Sequence, residues 1–188
     1  MTDQPRVGVS ACLLGQPVRY DGKDKNCMNV QSLTPCCELV PVCPEVGMGL
    51  PVPRPPIQVW QSGDALGLRQ VENPAVELAP QLQDWYQRLN LLWHTLDGFV
   101  LKSRSPSCGH GSTPLHDISG EPVAVGDGLF VTLLRAGFPY MPLIDEVSLQ
   151  NSAARKAFMR QVIAHYQQRI KGAGMHREQK TQDKPGNA

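Results

Sequence analysis

The 188-residue sequence has six cysteines, at positions 12, 27, 36, 37, 43 and 108, yet it contains no C-x-x-C pair. That absence excludes the spacings of a zinc ribbon or a ferredoxin, and the adjacent Cys36-Cys37 pair does not replace them. Neither sign of charge is in excess. Eighteen Lys and Arg against seventeen Asp and Glu give a formal charge of +1, which leaves no electrostatic footprint of a protein that binds long nucleic acid. There is no internal repeat and no apolar run of membrane-spanning length. The opening MTDQPRVGVSACLLG has no basic leader followed by a signal-peptide core. The expectation is a cytoplasmic protein without a membrane partner. In a reducing compartment structural disulfides are disfavoured, so the cysteines need another account. Any single one can serve as a small core residue, since cysteine is among the most buried residue types.

Length and a hydrophobic fraction of 41% fit one domain, residues 1–170, followed by a polar tail, 171–188, that is expected to be disordered. RVGVSACLL (6–14), ELVPVCPEV (38–46) and DGFVLKS (97–103) read as buried strands ending in loops. The prolines of GMGLPVPRPPIQVW predict an extended excursion with a small edge strand at IQVW. From Ala75 to Leu96 apolar residues beginning with Leu78 recur at helical spacing, which predicts a helix started by Asn73 and Pro74, with Pro80 marking a kink or a fresh start. GDGLFVTLLRAG predicts a short helix, YMPLIDEV a strand, and Ser148 the start of a helix lined by Ala154, Phe158 and Val162. Alternating strands and helices predict an α/β fold, a compact domain with a largely parallel, Rossmann-like sheet flanked by helices.

In such sheets ligands bind beyond the carboxyl ends of the strands, where residues distant in sequence converge. Cys12, Cys43 and Cys108 each fall at or just past a proposed strand end. Three thiolates form a soft donor set suited to zinc, copper(I) or an iron-sulfur cluster, and three protein ligands leave one position open for substrate. Glu45, two residues beyond Cys43, is a candidate general base or acid. Beside Cys108, Lys102, Ser103, Ser105 and Ser107 supply donors, and Gly109 and Gly111 allow close backbone approach. His110 or His116 would complete a zinc site of three cysteines and one histidine. Arg19, Lys23 and Lys25 form either a charged surface turn or a hold for one phosphate, which suits a single nucleotide rather than a long nucleic acid.

SACLLGQPVRYDG, VPVCPEVGMGLPVPR and LKSRSPSCGHG, in that order, resemble the thiouracil desulfurase (TudS) family over roughly residues 6–170, and each motif is centred on one of the three cysteines. The resemblance implies a [4Fe-4S] cluster held by Cys12, Cys43 and Cys108 with one open iron. The implied reaction is the non-redox removal of sulfur, as hydrogen sulfide, from small thiolated uracils: 2- or 4-thiouracil, or 4-thiouridine monophosphate. Glu45 of the C-P-E motif is then the candidate for activating water, Ser105 of S-P-S-C-G for orienting substrate, and Lys102 and Ser103 for further contacts. Some relatives carry an additional RNA-binding domain, and the polar stretch after residue 170 offers none. Cys27, Cys36 and Cys37 match no motif. The alternatives are a hydrolase that binds zinc through the same three cysteines, a non-catalytic sulfur carrier and cysteine-nucleophile catalysis.

Overall fold

The computed structural model describes residues 4–182, with side chains through residue 172. The first half runs β1 (Arg6–Ser10), a 3-10 turn (Ala11–Leu14), α1 (Met28–Gln31), β2 (Glu38–Val42), α2 (Pro44–Gly47), β3 (Ile57–Ser62) and β4 (Ala65–Gln70). Then follow α3 (Ala79–Arg88), α4 (Asn90–Trp93), β5 (Gly98–Leu101), β6 (Thr113–His116), β7 (Pro122–Gly126), α5 (Leu129–Gly137), β8 (Leu143–Asp145) and α6 (Ser152–Gln182).

The valine-rich runs build a parallel sheet in the order β2-β1-β5-β8. Its central strands, β1 and β5, are buried on both faces, the usual consequence of helical crossovers. Phe99 and Leu101 face a core that includes Trp85, Trp93 and Phe130, from α3, α4 and α5. Val7, Val9 and Val100 face the opposite core, closed by Val30 of α1 and by Phe158 and Val162 of α6. Each of these fully buried apolar side chains contributes roughly 1.5–3 kcal/mol. The α/β class and the parallel sheet expected from the sequence are therefore those of the molecule.

A second sheet, mixed in direction and ordered β4-β3-β6-β7, packs against the aromatic core. It corrects the expectation for IQVW: β3 is an interior strand, paired with β4 on one side and β6 on the other. The preceding prolines end before the pairing begins, so they do not confine it to an edge. The predicted helix from Ala75 also starts later. Glu77 bridges to Arg69 in extended pairing, and α3 opens with Pro80 in its first turn, where the missing N–H costs nothing. Asn151 rather than Ser148 caps α6, its Oδ1 accepting from the N–H groups of Ala153 and Ala154 at 2.9 and 3.1 Å. The helix runs on to Gln182. The first proline after Pro142 is Pro185, so no residue up to Gln182 lacks the N–H that a helix needs. Residues 183–188 lie outside the described residues.

Asp97, fully buried just before β5, ties α6 to the sheet. Arg169 donates to its two oxygens at 2.8 and 2.9 Å, and the Arg6 N–H donates at 2.9 Å. Burial alone would raise this carboxyl; hydrogen bonds from Arg169, His165 and Arg6 instead pull it down to about 2. No helix of the described residues is long and apolar enough to cross a membrane.

Candidate functional site

The carboxyl ends of β1, β2 and β5 open on one cavity of about 410 Å³, within the range that takes a small ligand. β1 sits between β2 and β5, so chains leaving neighbouring strands diverge there and leave a crevice. Cys12 enters it from the 3-10 turn that ends at Gly15 in the left-handed region (φ 83°). Cys43 is the residue between β2 and α2, where Pro44 opens the helix. Cys108 comes from the loop after β5.

The three thiols share one electrostatic environment. Burial pushes Cys12 up to about 11, with Cys43 adding to the rise and Lys102 and Arg19 opposing it. Burial raises Cys43 as well. Cys108 is raised well above the usual thiol range by burial and then by Cys43 and Cys12, against a hydrogen bond with Ser10. Three crowded thiols that resist ionisation need a cationic partner to become thiolates, and bound metal supplies one. Soft sulfur donors suit an iron-sulfur centre. Among the described residues no three His, Cys, Asp or Glu side chains gather tightly enough to hold a single metal ion. In a cluster, by contrast, each cysteine meets a different iron, so the donors stand farther apart. Three cysteine sulfurs on one cavity would suit a cluster.

Glu45 lies in the first turn of α2 and lines the cavity. Its Oε2 accepts from Nε of Arg54 at 2.9 Å and lies 2.7 Å from Nη2, while Oε1 accepts from Oγ of the fully buried Ser107 at 3.2 Å. Arg54 is itself buried and also donates to the carbonyls of Pro51 and Val18. The proline-rich excursion therefore brings one guanidinium behind one carboxylate. Ser105 Oγ accepts from the N–H groups of Ser107 and Cys108 at 3.3 and 3.0 Å, which folds the loop around the thiol and leaves the hydroxyl proton without a protein acceptor among the described residues.

Lys102 and Ser103 also line the cavity. The Lys102 ammonium donates to the Ser103 carbonyl and hydroxyl at 2.9 and 3.0 Å and pairs with Glu146. An ammonium has three N–H donors, and these three acceptors occupy them, so Lys102 acts here as a brace and as a source of positive potential. Glu146, just past β8, also accepts from Ser103 N–H at 2.7 Å.

Of the basic loop, Arg19 and Lys25 line the cavity and Lys23 does not. Arg19 pairs with Asp21 at 3.2 Å. Arg104, which no sequence signal singled out, lines the same cavity in a left-handed conformation (φ 58°). Such a backbone, uncommon away from glycine, tends to persist at functional sites. Neither candidate zinc histidine is here. His110 faces Arg135 at 3.0 Å and Asp127 at 3.9 Å, and His116 belongs to β6 with its ring against the Val59 carbonyl. The unmatched cysteines also stand apart: Cys37 is buried in the α1 and α6 core, Cys27 packs at its margin and Cys36 is exposed.

Arg54, Glu146 and Arg104 are the site residues that sequence reasoning missed. The partners of the first two lie 9 and 43 or more residues away, and no local pattern marks such pairs. The available signal was that Arg54 and Arg104 fall inside the motifs VPVCPEVGMGLPVPR and LKSRSPSCGHG.

The 2-thiouracil desulfurase family model matches residues 7–146. A solved structure described as a [4Fe-4S]-dependent thiouracil desulfidase, TudS, is 30% identical, with a TM-score of 0.62 over 82% of this chain and 99% of its own. No curated protein shows significant similarity.

Proposed function

The chain belongs to the 2-thiouracil desulfurase family, and from that premise we propose that it is a cytoplasmic, iron-sulfur-dependent enzyme that hydrolytically removes sulfur from a small thiolated uracil, with 4-thiouridine monophosphate the favoured form. The observation that carries this reading is the convergence of Cys12, Cys43, Cys108 and Glu45 on one cavity. Cys12, Cys43 and Cys108 would hold the [4Fe-4S] cluster. When bound, the cluster supplies a Lewis-acidic, sulfur-seeking iron that the three cysteines leave open.

The chain's own groups do the rest. Glu45 takes a proton from water at Oε1, while Arg54 on Oε2 fixes the carboxylate and Ser107 holds the reacting oxygen in place. Ser105 donates a hydrogen bond from its free hydroxyl to the pyrimidine and keeps its proton. The carbon–sulfur bond breaks, a carbon–oxygen bond forms, and the hydrogens of water leave with the sulfur as hydrogen sulfide, so no electrons are gained or lost. Lys102, braced by Glu146, adds positive potential where negative charge develops.

A phosphate would be met at the rim by Lys25 and Arg104, which have no carboxylate partner among the described residues, and by Arg19 if it leaves Asp21. Lys23 lies off the cavity and is the weakest member of that set. The test is turnover by anaerobically prepared protein of 4-thiouridine monophosphate, 4-thiouridine and 2-thiouracil, followed by loss of thiocarbonyl absorbance and release of sulfide. Stoichiometric sulfide and the uracil product are expected. No sulfide from any of the three, with the cluster intact, overturns the enzyme and leaves a carrier.

A further inference from the structure

We propose that Asp127 and Gly128 are positioning residues for Cys108: the start of α5, rather than the strand that precedes the cysteine, sets where its thiol stands. β5 ends at Leu101, and a loop that far from its strand inherits little direction from it. The loop is gripped from the other side. The consecutive N–H groups of Gly128, Leu129 and Phe130 donate to the carbonyls of Gly109, Pro106 and Ser107 at 2.7, 3.0 and 3.1 Å. These carbonyls flank Cys108 on both sides, and the first N–H groups of a helix have no partner within the helix. Helix and loop thus satisfy each other's backbone.

Gly128 is needed for that approach. A Cβ there would stand 2.5 Å from the Ser107 carbonyl oxygen, 2.6 Å from its carbon and 2.8 Å from the Pro106 oxygen. All three are backbone atoms beside Cys108, so relief of the clash has to move the loop. Asp127 holds the far end: Oδ1 accepts from Gly111 N–H at 2.6 Å, and Oδ2 pairs with Arg135 of α5 at 2.7 Å. Arg135 in turn donates to His110 at 3.0 Å. Residues 106–111 are therefore clamped along their length by a segment about twenty positions downstream.

The importance of the clamp for the cofactor rests on Cys108 being a ligand; its existence does not. The experiment uses the full-length chain, stripped of metal with a chelator and kept reduced, with iodoacetamide labelling of each cysteine followed by mass spectrometry. In the wild type, exposed Cys36 labels fast, and buried Cys108 and Cys37 label slowly. Gly128→Ala is expected to speed labelling of Cys108 roughly tenfold while Cys37, in the other core, keeps its rate. Asp127→Asn, which keeps the side-chain shape and loses the charge toward Arg135, is expected to raise Cys108 labelling a few-fold. Both variants should also retain less iron per chain after anaerobic reconstitution. If Gly128→Ala loosens the whole fold, so that Cys37 and Cys108 accelerate together, Asp127→Asn decides. Unchanged Cys108 labelling in Asp127→Asn with Cys37 unchanged overturns the proposal. A wild-type chain that takes up no iron instead defeats the functional reading and leaves the labelling comparison standing.

Discussion

Cys108 and Cys37 are both buried, and burial raises both thiols, Cys37 to about 12. Their surroundings differ in kind. Cys37 donates to the Leu33 carbonyl within an apolar shell, and its neighbour Cys36 is exposed. Cys108 opens on a cavity whose walls hold two more thiols, a carboxylate braced by an arginine, and several cations. Burial is thus common to core and site. What distinguishes the site is convergence from the ends of separate strands, which a parallel sheet provides and a local hairpin does not.

The largest effect that could break this comparison comes from the cysteines themselves. Alanine at Cys12, Cys43 or Cys108 is expected to remove bound iron and lower activity by about a hundredfold or more. Alanine at Cys27, Cys36 or Cys37 should leave the iron content and rate near wild type, as metal analysis and sulfide release will show. Iron loss in the Cys27 or Cys36 variant would erase the distinction. Next in size is Glu45→Gln, expected to keep the iron and lower kcat by roughly 10²–10⁴-fold with little change in KM. A rate within twofold of wild type removes Glu45 from the chemistry. Smaller again is the effect at the rim. Arg104→Ala or Lys25→Ala should raise KM for the monophosphate by about tenfold and leave the free base unaffected.

The smallest effect on activity lies at Asp97, which precedes β5 and so stands at the end of the parallel sheet opposite the cavity. Its folded-state carboxyl, at about 2, lies below the ordinary value of 3.8. The stability it contributes, on the order of 2 kcal/mol, is therefore fully present above pH 4 and lost as pH falls toward 2. Asp97→Asn should lower the melting temperature at neutral pH and flatten the acid limb of the stability curve, without changing iron content. An unchanged acid limb would show that the buried ion pair contributes nothing.

Much of this architecture was legible in the sequence because the parallel strands announce themselves: RVGVS, ELVPV and GFVL each carry a short, valine-bearing apolar run, and in β1 and β5 that run is buried on both faces. The second sheet was legible only at IQVW, the later β3. β6 (TPLH) is too short to show a period, and the apolar run of β7 (PVAVG) is exposed along almost its whole length, so it offers no alternation of inner and outer residues to read. At the site, Cys43 and Glu45 were visible from the motif around them, whereas Arg104, inside LKSRSPSCGHG and on the same cavity, was not. The residues that hold them were invisible. Arg54 looked like one charge in a proline-rich run, Glu146 like the end of a strand, and Gly128 like a turn. Their parts depend on contacts across 9, 43 and about 20 positions, distances at which one sequence carries no pairing information.

The central claim is tested most directly by the composition of the protein purified without oxygen, combined with cysteine labelling of that same material. The account predicts about four iron and four sulfide per chain, with Cys12, Cys43 and Cys108 shielded from alkylation until the iron is removed, and Cys36 reactive throughout. One zinc per chain, or iron bound while any of those three thiols stays open to alkylation, would contradict it.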